Sequence, residues 1–163
     1  MGVIALKLQF ADFTEENAKE ICTWQYEGEY HLYSCPAWSR ACDKRWAITI
    51  AEKREKEFKS VVDEKNNLCG YVRFRYIHKD EEVIVGLGLK PDLCGHGVGS
   101  TLMEVIKDYC DEAYHGKKIV LEVRTFNKRA IRCYEKAGFK QKVMYSLNTP
   151  IGYSDFIRME YEK

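Results

Sequence analysis

Hydrophobic and polar positions along this chain alternate with a period of two in some stretches and of three to four in others. Residues Val3–Phe10 alternate loosely and predict a first strand. Thr14 is a candidate N-cap, with Glu15 and Glu16 in the first turn of a helix reaching about Trp24. The aromatic-dense stretch TWQYEGEYHLYSCPAWS contains Gly28 and Pro36 and reads as a loop leading into a short helix around Ser39–Trp46. The run AEKREKEFK reads as a solvated face, with helix and strand both open. Val61–Asn67 ends a strand in a turn, and Leu68–His78 is a long strand of alternating character. Lys79-Asp80-Glu81 then turns the chain into Val83–Leu89, and so short a connection predicts antiparallel neighbours.

Beyond Gly99 the period changes. Leu102, Val105, Ile106, Tyr109 and Ala113 fall at helical spacing, with Lys107, Asp108, Asp111 and Glu112 away from the stripe. Ile119–Arg124 is the next strand, and the intervening helix predicts that it lies parallel to Val83–Leu89 by a right-handed crossover. Asn127 caps a helix to Ala137, and Gly138 suits the left-handed residue that ends it. Phe139–Tyr145 and Asp155–Tyr161 are the last strands, with Thr149–Gly152 in the loop between them. The order β-α-α-β-β-β-α-β-α-β-β predicts one α/β (α+β) domain over residues 1–163, a mixed sheet with helices on its faces.

Composition narrows the function classes. With 26 basic and 25 acidic residues the net charge is +1, so no global field favours nucleic acid or an anionic membrane. No apolar run reaches the length of a membrane span. Seven cysteines, without a Cys-x-x-Cys, and four scattered histidines argue against a zinc site. They fit reduced thiols in a cytoplasm, and no metal is expected.

The candidate chemistry starts where Val83–Leu89 gives way to a helix through Gly95, Gly97 and Gly99. Such a turn leaves backbone N–H groups unpaired at the positive end of a helix dipole, a setting for a phosphate or pyrophosphate. A P-loop needs a lysine before the Ser/Thr that follows the last glycine, and here Gly99 runs directly into Ser100-Thr101. A dinucleotide fingerprint is approached by Gly95-x-Gly97-x-x-Ser100, with Glu122 at about the distance of a ribose-binding acid. Only about forty residues follow that strand, too few for a second nucleotide-binding half. A tight turn without a ligand is the remaining alternative.

The segment from Leu87 through Phe139 resembles the cofactor-binding core of the GCN5-related N-acetyltransferases, the GNAT family. Cys94-Gly95-His96-Gly97-Val98-Gly99 follows the family's Gln/Arg-x-x-Gly-x-Gly/Ala turn in all but its first position. The later stretch LEVRTFNKRAIRCYEKAGF is similar to the family's second signature, most of all in the ribosomal-protein-alanine N-acetyltransferase branch. The resemblance implies a mostly antiparallel sheet of six to seven strands, helices on both faces and a splayed parallel pair. It also implies acetyl-CoA as donor and direct attack by a primary amine, either a protein N-terminal amine or a small molecule such as a polyamine or amino acid. A CoA-binding module without turnover is the alternative outside catalysis, and a homodimer stays open.

Carried over residue by residue, the resemblance assigns the backbone of Leu87, Gly88 and Leu89 to the pantetheine arm, with one N–H facing the oxyanion. It assigns Cys94, Gly95, His96, Gly97, Val98, Gly99 and Ser100 to the pyrophosphate. Cys94 departs from the pattern, so one side-chain anchor is lost or is supplied by His96 or Lys90. Tyr134 is the candidate general acid for the leaving thiolate, or a core tyrosine on the packing face of its helix. Glu122 interrupts an apolar strand. It reads either as a general base working through water or as an ion-pair partner of Arg124 or Arg75. Asn127 either contacts pantetheine or only caps its helix. The acceptor site is placed at Tyr26, Glu27, Glu29 and Tyr30, with Tyr33, Trp38 and the Tyr145–Tyr153 loop, where the two carboxylates attract a cationic amine. Core packing explains the same aromatics.

Overall fold

In a computed structural model of the chain, residues 6–163 are described. Seven strands form a sheet in the order β1-β2-β3-β4-β5-β7-β6. The chain divides into two compact units, one running to Arg73 and taking in Leu87–His96, the other comprising Phe74–Gly86 and Gly97–Lys163.

In the first unit, β1 (Gln9–Asp12) pairs antiparallel with β2 (Phe58–Val62), and β2 with β3 (Leu68–Ile77). Of the predicted first strand, residues 6–8 precede β1 without strand pairing, and Val3–Ala5 lies outside the described residues. Helix α1 (Glu15–Ile21) opens on a reciprocal cap, in which Thr14 Oγ1 accepts from Asn17 N and Asn17 Oδ1 accepts from Thr14 N, each at 3.1 Å. It stops before Trp24, which instead enters a core with Phe13, Ile21 and Phe58. Helix α2 is Trp38–Asp43, shorter at its C-terminal end than expected. The charge run forms α3 (Ala51–Glu57) and then enters β2 at Phe58. It is not wholly solvated: Arg54 is buried and donates to the carbonyl of Ile48 at 3.1 Å.

In the second unit, β4 (Glu82–Leu89, of which residues 82–86 belong here) runs parallel to β5 (Lys118–Arg124). Their register covers Glu82↔Lys118 through Val85↔Leu121, half the length of β4. Strand β7 (Gly152–Tyr161) is antiparallel to β5 and to β6 (Phe139–Thr149). The expected loop shrinks to a turn because both strands extend into it. Alternation sorts the side chains. Leu121↔Met159 and Val123↔Ile157 occupy one face, Glu122↔Arg158 and Arg124↔Phe156 the other.

Helix α4 (Val98–Ala113) buries Leu102, Met103, Ile106 and Cys110. The stripe is rotated from the predicted one, and Ala113 is exposed. Cys110 behaves as a small apolar residue there. Phe74 of β3 packs on Tyr109 with ring centroids 4.7 Å apart. Helix α5 (Lys128–Lys136) ends at Gly138, whose φ of 101° needs a glycine.

Candidate active site

In the first unit, the end of β4 approaches β3 closely. A Cβ added at Gly70 would lie 2.5 Å from the carbonyl oxygen of Gly88, and one at Gly88 would lie 2.6 Å from Cε1 of Tyr71. Two glycines on facing strands thus let the backbone at Gly88 lie against the Tyr71 ring. Tyr26 donates its hydroxyl to the Leu89 carbonyl at 2.6 Å. The Tyr26 N–H donates to Ser34 Oγ at 2.9 Å, and its carbonyl accepts from His31 Nδ1 at 3.2 Å. Burial, reinforced by Tyr71, Cys94 and Cys35, pushes the Tyr26 hydroxyl well above the ordinary phenol range, so it stays a donor. Of the predicted acceptor residues, Tyr26 is therefore tied to β4. Glu27 and Glu29 are exposed, and Tyr30 is half-buried and stacked on Tyr33.

Beyond β4 a short 3₁₀ turn at Pro91–Leu93 leads to Cys94, whose thiol lies 3.9 Å from the Leu89 carbonyl and 3.7 Å from that of Lys90. Gly95 follows with a φ of 80°.

In the second unit, Gly97 is the N-cap of α4 with a φ of 79°, and no side chain caps the helix. The first amides of a 16-residue helix, those of Val98, Gly99 and Ser100, are left to an outside acceptor. A Cβ on Gly99 would meet Cys133 Sγ of α5 at 3.2 Å. Gly97 and Gly99 therefore serve different ends, one backbone conformation and the other helix packing. Such a turn, open in front of Gly97 and uncapped, fits a pyrophosphate.

Asn127 caps α5, its Oδ1 accepting from Ala130 N at 3.1 Å. Tyr134 lies on α5, half-buried, its ring centroid 6.5 Å from that of Phe139.

Glu122 has one partner that its sequence reading named and one that it did not. Its side chain is 27% exposed, so water reaches it, and both carboxylate oxygens are engaged. Arg75 Nη2 stands 3.5 Å from Oε1, and the Tyr145 hydroxyl donates to Oε2. The ion pair with Arg75 is therefore present. Tyr145 was expected at the edge of a loop; it sits inside β6, and no local signal in the sequence pairs it with Glu122. Burial first, then the Glu122 carboxylate, raises the Tyr145 hydroxyl above the phenol range. Nearby, Arg124 donates to Ser154 Oγ and lies over the Phe156 ring. Among the described residues, no group of three or more His, Cys, Asp or Glu could hold a metal ion, and no helix is long and apolar enough to cross a membrane.

The model of the acetyltransferase (GNAT) family matches residues 11–139. The chain is 26% identical over 129 residues to spermidine N(1)-acetyltransferase of Vibrio cholerae serotype O1, covering 77% of this chain and 69% of that protein. It is 30% identical over 80 residues to a putative ribosomal protein bS18-alanine N-acetyltransferase of Bacillus subtilis, covering 49% of this chain and 52% of that protein. Among solved structures, a spermidine N-acetyltransferase chimera from Vibrio cholerae and hSSAT superimposes with a TM-score of 0.76 at 20% identity, over 95% of both chains. A GNAT-family acetyltransferase from Bacillus anthracis also superimposes with a TM-score of 0.76, at 14% identity, over 98% of this chain and 97% of that one.

Proposed function

Because the chain belongs to the GNAT acetyltransferase family, we propose that its acceptor is a primary amine, foremost the N-terminal amine of a protein, and that its own residues divide the chemistry as follows. It is an acetyl-CoA-dependent N-acetyltransferase. The observation that carries the residue assignment is the uncapped start of α4 behind Gly97. Its amides would hold the pyrophosphate; in the other unit, the backbone of Leu87, Gly88 and Leu89 is the segment proposed for the pantetheine arm. Acetyl-CoA supplies the electrophilic thioester carbon.

An amine attacks only when neutral. An α-amino group titrates about 2.5 pH units below a lysine, so deprotonating it at neutral pH costs roughly 3 kcal/mol less. Glu122 would accept the amine proton through water, since its carboxylate is solvent-reachable and fixed on both oxygens. As the C–N bond forms and the C–S bond breaks, Tyr134 would protonate the departing thiolate. The 30% identity over 80 residues to a putative ribosomal protein bS18-alanine N-acetyltransferase supports a protein N-terminus as acceptor. A second reading, a polyamine acceptor, is favoured by the exposed carboxylates Glu27 and Glu29, which would attract a polycation.

A panel of peptides with free N-terminal amines, set against spermidine and free amino acids, tests the acceptor by acetyl-CoA-dependent thiol release. Turnover confined to peptides supports the first reading, and turnover confined to spermidine replaces it with the second. Tyr134→Phe is expected to bind acetyl-CoA normally and lose thiol release. Unchanged release removes Tyr134 from the mechanism.

A further inference from the structure

Tyr145 reaches Glu122 only because β6 contains an irregularity. Gln141 pairs with Met159, but two residues later Val143 pairs with Arg158, so one extra residue is accommodated between them. Past this bulge Tyr145 is opposite Phe156. Without it, the register set at Gln141↔Met159 would continue as Met144 opposite Phe156. Side chains in a strand alternate, so a one-residue slip exchanges the two faces. Phe156 shares its face with Arg124, and Arg158 with Glu122. The bulge therefore places Tyr145 on the Glu122 face and turns Met144 away, where its side chain is exposed.

We infer that Tyr145 is a positioning residue for the Glu122 carboxylate, delivered to it by the β6 bulge. This rests on Glu122 as the proton acceptor. The hydroxyl from β6 fixes Oε2 while Arg75 from β3 approaches Oε1, so the carboxylate is gripped from two strands and its rotation is restricted. The Tyr145 ring is itself held by stacking on Phe156, with centroids 6.2 Å apart and planes 20° apart. The other charged groups facing this pair already have partners. Arg158, the cross-strand neighbour of Glu122, binds Glu82 and Glu160, and Arg124 binds Ser154. Glu122 is thus the carboxylate on this face held by a phenol. A phenol contributes a directional donor without adding a second cation beside the one Arg75 supplies.

A double-mutant cycle tests this. Tyr145→Phe keeps the ring stack and is expected to lower kcat about tenfold, with KM for acetyl-CoA unchanged. Glu122→Gln is expected to lower kcat further, and adding Tyr145→Phe to it should change kcat less than twofold. In parallel, ring-carbon NMR of labelled tyrosine identifies the Tyr145 signal by its loss in Tyr145→Phe. That signal should titrate at lower pH in Glu122→Gln. Effects of Tyr145→Phe that are equal in both backgrounds, or a Tyr145 titration unmoved by Glu122→Gln, overturn the inference while leaving Glu122 as the base. Full kcat in Glu122→Gln overturns the base assignment and this inference with it.

Discussion

The Tyr26 hydroxyl donates to the Leu89 carbonyl across 63 positions of sequence, at 2.6 Å. The bond links the aromatic segment after α1 to the end of β4, the segment assigned to the pantetheine arm. Tyr26→Phe removes the donor from a partly buried carbonyl. We expect a loss of roughly 1–2 kcal/mol in urea denaturation. Acetyl-CoA affinity in calorimetry should fall several-fold as the end of β4 loosens. An unchanged affinity would show that this strand end needs no such support.

Gly88 and Gly86 form a matched pair on β4. A Cβ at Gly88 runs into the Tyr71 ring at 2.6 Å, whereas one at Gly86 meets nothing within 4 Å. Gly88→Ala should cost about 1–3 kcal/mol by overpacking. Gly86→Ala should be neutral or stabilising by a few tenths, as expected for alanine replacing glycine in a strand. Thermal melts of the two variants side by side read out the difference.

Gly97 holds a φ of 79° in open space, so a methyl group there meets strain and no clash. Gly97→Ala should lose about 1–2 kcal/mol of stability, and acetyl-CoA binding should weaken beyond what unfolding explains because the amides of the turn are re-aimed. Equilibrium dialysis at a temperature where the variant is folded separates the two effects.

Cys94 stands where the family places Arg or Gln, and its thiol faces the Leu89 and Lys90 carbonyls. Cys94→Arg would bring a cation to the turn assigned to the pyrophosphate. We expect about tenfold tighter acetyl-CoA binding, on the order of 1.4 kcal/mol. Equal affinities in calorimetry would mean that the backbone amides alone account for binding.

Alkaline pH should unfold the protein through its phenols. Tyr26, Tyr71 and Tyr145 are all held above the ordinary phenol range, each chiefly by burial. A group raised in the fold contributes stability that is complete below its unfolded value and is lost as pH rises toward its folded value. Melting temperature should therefore hold up to about pH 10 and fall above it. Tyr26→Phe should shallow that fall. A flat profile to pH 11.5 would contradict the burial of these hydroxyls.

Most elements were legible because their signals are local. Thr14 precedes two glutamates and caps α1, Asn127 caps α5, and Gly138 takes the left-handed conformation at its end. The helix between Val83–Leu89 and Ile119–Arg124 required a parallel pair, and β4–β5 is parallel. Less legible were lengths and faces. The buried stripe of α4 is rotated because Met103 and Cys110 fill the core where Ala113 was expected. The charge run hid a buried Arg54 because its partners, Ile48 and Glu15, lie outside the run.

By itself the amino-acid sequence determined the order of strands and helices apart from α3, the glycine turn ahead of α4, and the presence of a carboxylate in an apolar strand. Caps, periodicities and φ demands act within a few residues and leave marks in the letters. Only the tertiary structure decided what Glu122 touches. Its two partners come from β3 and β6, and one arrives through a bulge that swaps the faces of β6. A register is the collective result of pairing along whole strands, so no window of sequence around Glu122 or Tyr145 contains it.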